Sequence, residues 1–265
     1  MKRSMFILLA VLMLLLAPAT QLRANAAETG TCGDDLTWTL DDAGTLTISG
    51  TGAMDNYSAE MELPWYSQRE AIQSVVVEDG VTTIGDYAFN HCSSLDSISL
   101  PDSITSIGGH AFSYCESLSS ISIPNTVTAI GYCAFSDCTS LSSIAIPDSV
   151  TSIGNSAFYN CTSLSSITIP NSVTSVGDDT FGACVTLSNI TIPDSVTTIG
   201  NCTFSGCRNL SSVTIGNSVT SIGYSAFERC TNLSSITIPD SVTTIGNYTF
   251  ADCQNLSSKI GRAHV

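Results

Sequence analysis

The amino-acid sequence specifies a β-rich solenoid: a stack of parallel strands built from one short unit. From Gly85 to Leu256 the pattern Ile-Gly-x-x-x-Phe-x-x-Cys-x-x-Leu-x-x-Ile-x-Ile-Pro-Asp-Ser-Val-Thr-Ser returns every 23 residues, eight times, with nothing inserted or deleted. A unit of this length cannot bury its own apolar face, so identical units must stack and share one core. Within each unit a run such as Leu164-Ser-Ser-Ile-Thr-Ile-Pro170 alternates with the period of a strand, Leu164, Ile167 and Ile169 inward and Ser166 and Thr168 outward. Two ladders mark the shared core. One is Phe89, Phe112, Phe135, Phe158, Phe181, Phe204, Phe227 and Phe250; the other is Cys92, Cys115, Cys138, Cys161, Cys184, Cys207, Cys230 and Cys253.

The chain opens with Met-Lys-Arg, an apolar run from Met5 to Ala17, and Ala24-Asn25-Ala26. Basic, apolar and small residues in that order predict a secretory signal peptide over residues 1–26, cleaved after Ala26. The apolar run is shorter than the ~18 residues a bilayer span needs, which disfavours an uncleaved anchor. Residues 27–70 lack the repeat and are expected to cap the stack. Leu36-Thr-Trp-Thr-Leu40 and Thr45-Leu-Thr-Ile-Ser49 flank an Asp/Gly turn and predict a β-hairpin. Trp38, Leu40, Leu46 and Ile48 would cover the apolar end of the first coil, with Pro64-Trp65-Tyr66 closing the join.

The solenoid is expected over residues 71–258, with Ile72 to Val77 as its first strand. Pro170 ends the strand of its repeat because it has no N–H for the ladder. Asn171 and Ser172 suit a turn, Val173 to Val176 a second short strand, and Asp178 to Ala183 a short helical or 3₁₀ turn that puts Phe181 into the core. The turn residue after each first strand alternates, Asp102, Asn125, Asp148, Asn171, Asp194, Asn217, Asp240. On rungs ~4.8 Å apart the alternation holds like charges ~10 Å from one another, too far to share a calcium ion. At residues 259–265 the pattern fails. Lys259 falls where Ile236 stood one repeat earlier, so a frayed last strand and a truncated or foreign tail are expected.

Parallel side chains on neighbouring rungs fit the disulfide dihedral poorly, so the cysteine ladder is expected as free, buried thiols. Cys32, Cys133 and Cys202 lie outside it. Cys133 and Cys202 share a phase but stand three repeats apart.

After loss of the signal peptide, five basic residues face 23 acidic ones, a net charge of −18. Such a surface excludes nucleic acid and anionic headgroups as natural partners. Catalysis is not expected: the only histidines are His91, His110 and His264, and no nucleophile triad, zinc spacing or phosphate loop is present. His110 shares a phase with Tyr87 and Cys133, but two ligands on neighbouring rungs do not fill a tetrahedral site. No cofactor or metal site is therefore expected. Outward strand positions are nearly all Ser or Thr; an ice-binding face is the remote alternative for them, interrupted by Ala145 and Asn189. Variation gathers beside the Phe, and it includes Asn90, Asp137, Asn160, Asp178, Asp179 and Asp252. Within it, Tyr87, His91, His110, Tyr114, Tyr132, Tyr159, Tyr224, Glu228, Arg229 and Tyr248 form the candidate binding rim, because tyrosine gives large contact area for little lost entropy.

Leu-x-x-Ile-x-Ile-Pro followed by Val-Thr-x-Ile-Gly-x-x-Ala-Phe-x-x-Cys resembles the BspA-like bacterial leucine-rich repeats. The lead-in Gly30-Thr-Cys-Gly33, Leu36 to Leu40, Gly44 to Gly52 and Pro64-Trp65 is similar to that of secreted members from anaerobic gut bacteria. The resemblance implies a curved, right-handed leucine-rich repeat stack, displayed outside the cell and engaged in adhesion. A host extracellular protein, a glycan or a partner cell surface is the implied partner. A passive surface spacer is the alternative.

Overall fold

The computed structural model describes residues 27–257 and, as backbone, 260–262; the expected signal peptide and Lys259 lie outside the described residues. Three antiparallel strands come first: β1 (Glu28–Gly33), β2 (Leu36–Leu40) and β3 (Thr45–Gly50). β2 and β3 are the expected hairpin, with Trp38 opposite Ile48 and Leu40 opposite Leu46. β1 was not expected, because Gly30 and Gly33 weaken its strand signal. Both glycines are there for close packing: a Cβ on Gly30 would stand 2.6 Å from the Trp38 indole nitrogen, and one on Gly33 2.6 Å from the Ala53 carbonyl.

The cap joins the solenoid without a seam. β3 pairs in parallel with Ser74–Val77, and Gly52–Ala53 pairs in parallel with Val81–Ile84, so the cap supplies a first, irregular coil. Trp65 completes that coil. Its fully buried ring stacks on Phe89 at 5.8 Å and meets Trp38 edge-on at 5.8 Å, while its indole N–H donates to the Ala88 carbonyl at 3.0 Å. Trp65 thus occupies the place that Phe takes in every later coil.

From there each coil adds two short parallel strands. The first-strand stack runs through Ser97–Ser99, Ser120–Ser122, Ser143–Ala145, Ser166–Ile167, Asn189–Ile192, Ser212–Ile215 and Ile236–Ile238. The second runs through Ser106–Ile107, Ala129–Ile130, Ser152–Ile153, Ser175–Val176, Thr198–Ile199, Ser221–Ile222 and Thr244–Ile245. Paired residues differ by 23, as in Ser143 with Ser166 and Thr198 with Ser221. The last pairing departs from this count: Ile236 faces Ile260, not residue 259. A one-residue advance of the backbone corrects the expectation that position 259 continues the Ile236 phase.

The core lies between the stacks. Seven of the eight repeat phenylalanines are fully buried, and successive rings stack at 5.3–5.6 Å and within 20° of parallel from Phe89 to Phe250. Phe250 and Cys253, at the far end of the ladders, are only partly buried.

Candidate binding rim and the ladders that hold it

The third side of each coil is a run of tight turns around the Phe. Their i to i+3 bonds (Ala88 N–H to Gly85, Cys92 N–H to Phe89) are those expected of a short helical turn, but the run is not a helix. The second residue after the repeat Gly and the residue after next beyond the Phe take positive φ, as at Tyr87 (61°), His91 (58°), His110 (55°) and Tyr114 (61°). Of these positions only Gly206 is glycine. An L-residue in this region costs about 1–2 kcal/mol, so something must hold it there. Backbone bonds to the next coil do so: Tyr87 N–H donates to Gly109, Phe89 N–H to Ala111 and His91 N–H to Ser113, at 2.8–2.9 Å, and this triplet repeats along the stack.

Side chains at fixed phases close the remaining bonds. Each ladder thiol from Cys115 to Cys253 donates to the Phe carbonyl 26 residues earlier, at 3.0–3.2 Å. The Phe89 carbonyl, for example, accepts from Cys92 N–H in its own coil and from Cys115 Sγ in the next. Cysteine is therefore more than a small apolar filler here: it is a compact side chain that also carries a weak donor. The described cysteines are all free thiols. Burial pushes the Cys92 and Cys184 thiols up to about 12. Ser149 and Ser195 donate to the Val127 and Val173 carbonyls of the preceding coil at 2.7 Å. Ser103 makes the same bond to the Val81 carbonyl, which explains the serine after Asp102, Asp148 and Asp194; Ser241, after Asp240, has no such partner. The acid itself reaches forward at Asp194, whose carboxylate accepts from Asn217 N–H at 2.7 Å, and not to its own turn.

Part of the variable phase is likewise structural. After the repeat Gly, Asp86 accepts from Gly109 N–H, Asn155 from Asp178 N–H, Asp178 from Asn201 N–H and Asn201 from Tyr224 N–H, at 2.6–3.1 Å. In the sequence these acceptors fall within the variable phases and are not distinguished from freely variable residues. The signal was available, since Asp or Asn fills five of the eight positions in that phase, at Asp86, Asn155, Asp178, Asn201 and Asn247.

The tyrosines and histidines do something else. Tyr87 stacks on His110 at 4.6 Å, His110 meets Tyr132 edge-on at 5.1 Å, and His91 stacks on Tyr114 at 4.3 Å. Tyr159 lies along the next coil, where the missing Cβ of Gly182 leaves room for its ring. Tyr114 and Tyr159 are each 39% exposed and Tyr132 53%, far from the burial of the core rings. Six of the ten expected rim residues therefore gather on four successive coils. The other four form a second group: Tyr224 and Tyr248 meet edge-on at 5.6 Å, and Arg229 stands 3.6 Å from both Glu228 and Asp252.

The charges around the first group are all carboxylates. Glu60, brought in by the loop before Trp65, lies 3.5 Å from His91. Burial lowers the pKa of His110, against the opposing pull of Asp86. The Asp137 carboxylate, itself held by Asn160 and Ser136, raises the pKa of the Tyr114 hydroxyl. Tyr132 is raised by its contact with Cys133, with burial, Tyr87 and Asp179 adding to it. Among the described residues no group of three or more His, Cys, Asp or Glu side chains converges as a metal site would require. On the first-strand face a shallow groove of about 610 Å³ runs over Thr168, Thr191, Asp194, Thr214 and Asn217.

The BspA type leucine rich repeat region matches residues 65–188 and 176–260, in six copies. A leucine-rich repeat protein of Eubacterium ventriosum has a similar structure, with 30% identity, a TM-score of 0.62, and alignment over 87% of this chain and 71% of that one. The leucine rich repeat protein of T. pallidum is 30% identical with a TM-score of 0.52, over 68% and 90% of the two chains. No curated protein matches the sequence. Period, stacked core and match together place the chain in the BspA type leucine-rich repeat family.

Proposed function

We propose that the chain is an exported, non-catalytic recognition protein of the cell exterior that holds a partner molecule on its turn stack. The observation that carries the proposal is the exposed aromatic group from Tyr87 to Tyr159, set at the phases where the copies differ. The first-strand face offers near-identical Ser and Thr on every coil, and uniform hydroxyls give little basis for discrimination. Export is supported by the order of residues 1–26 and by the acidic surface.

The test uses the mature chain, residues 27–265, against immobilised extracellular matrix proteins, glycans and partner cells. The proposal expects saturable retention by at least one of them, reduced when Tyr114 and Tyr132 are replaced together by Asn, which stands at the matching phases as Asn160 and Asn155. Retention by none of them supports the passive spacer instead.

A further inference from the structure

Resting on that reading, we infer that the aromatic group of the first rim binds a cationic protein segment, its Lys and Arg side chains lying over the Tyr114 and Tyr132 rings and beside Asp137 and Asp179. Exposed tyrosine faces attract cations through the ring quadrupole, and carboxylates beside them add to the same field. Geometry and field agree in sign: Glu60 lies 3.5 Å from His91, Asp137 stands in the His91–Tyr114 phase one coil beyond Tyr114 and is held there by Asn160, and Asp86 and, more weakly, Asp179 act on His110 and Tyr132. The arginines with described side chains are engaged elsewhere or lie outside this group. Arg69 sits over the Tyr66 ring and donates to the Tyr66 carbonyl, and Arg229 stands between Glu228 and Asp252. The second aromatic group, Tyr224 with Tyr248, has Arg229 in its neighbouring phase and lacks this uniform sign. Among the described residues the first group therefore presents its rings beside an anionic rim with no Lys or Arg of its own, the complement of a Lys/Arg-rich chain.

The experiment measures binding of a fluorescent peptide of alternating Lys, Arg and Gly to the mature chain by anisotropy at physiological salt, where bulk attraction is screened. Two charge-matched double variants separate site from net charge: D137N/D179N at the rim and D102N/D240N at the strand turns, where Asn already alternates with Asp. Expected are saturable binding, a loss of about tenfold for D137N/D179N and for Y114N/Y132N, and less than about twofold for D102N/D240N, as local cation–π and ion-pair contacts imply. Equal loss in both charge variants, or no saturation, overturns the inference. Tyr114- and Tyr132-dependent binding to neutral oligosaccharides in place of the peptide overturns it too, while leaving the recognition reading intact.

Discussion

Replacing Phe158 by Ala should split the solenoid into two folding units. Phe158 is fully buried and stacks on Phe135 at 5.5 Å and on Phe181 at 5.6 Å, both within 4° of parallel. Loss of a buried Phe costs about 3–5 kcal/mol, and two stacked neighbours add ~0.5–1.5 kcal/mol each, so about 4–8 kcal/mol is expected. Phe250 is partly buried and has one stacked neighbour, Phe227, so the same change there should cost roughly 1–2 kcal/mol. In a linear stack the coupling between neighbours carries cooperativity, and weakening one interface separates the two sides. Both tryptophans, Trp38 and Trp65, sit at the N-terminal end, so their fluorescence follows that half while circular dichroism follows the whole. Urea titration should give coincident curves for the parent chain, and for F158A a dichroism transition that begins before the fluorescence change. Coincident curves with a loss under about 1 kcal/mol would refute a core shared between coils.

The thiol ladder makes the fold alkali-sensitive. The buried thiols have folded pKa values raised above the ordinary 9.0, so their contribution is complete below pH 9 and is lost as pH rises toward 12, by up to about 1.4 kcal/mol per pH unit for each buried thiol. Urea midpoints should therefore fall steeply above pH 9, and C184A should lessen that slope. In native protein, a maleimide reagent should reach Cys202 and Cys253, which are partly exposed, before any fully buried ladder thiol; uniform labelling would contradict the packing. Ala183→Gly should stabilise the chain by about 0.5–1 kcal/mol, because Ala183 holds a φ of 59° where the next coil has Gly206, with thermal unfolding as the readout.

Period, strand phases and the Phe and Cys ladders were legible in the sequence because each is a local pattern repeated in register. The left-handed turn residues were not. Residue type does not announce them, since Tyr, His, Ser, Ala and Arg all take positive φ here, held by bonds to a coil 22 residues away. The donor role of the thiols was hidden for a similar reason, as the carbonyl that each one reaches belongs to another coil. Trp65 escaped the repeat because it precedes Phe89 by 24 residues, and the irregular coil before it follows no fixed count. The rim was legible as a set of variable phases, but its division into two groups, and the acids that distinguish them, appeared only in three dimensions.

The most direct test is an amide chemical-shift map of isotopically labelled residues 27–265, recorded with and without a saturating amount of a molecule that this chain retains. Perturbed amides are expected at residues 86–91, 109–114, 132–137 and 155–160, with little change on the strand face. Perturbations gathered instead at residues 120–122, 143–145, 166–168 and 189–191 would show that the uniform hydroxyl face binds, and would contradict recognition on the turn stack.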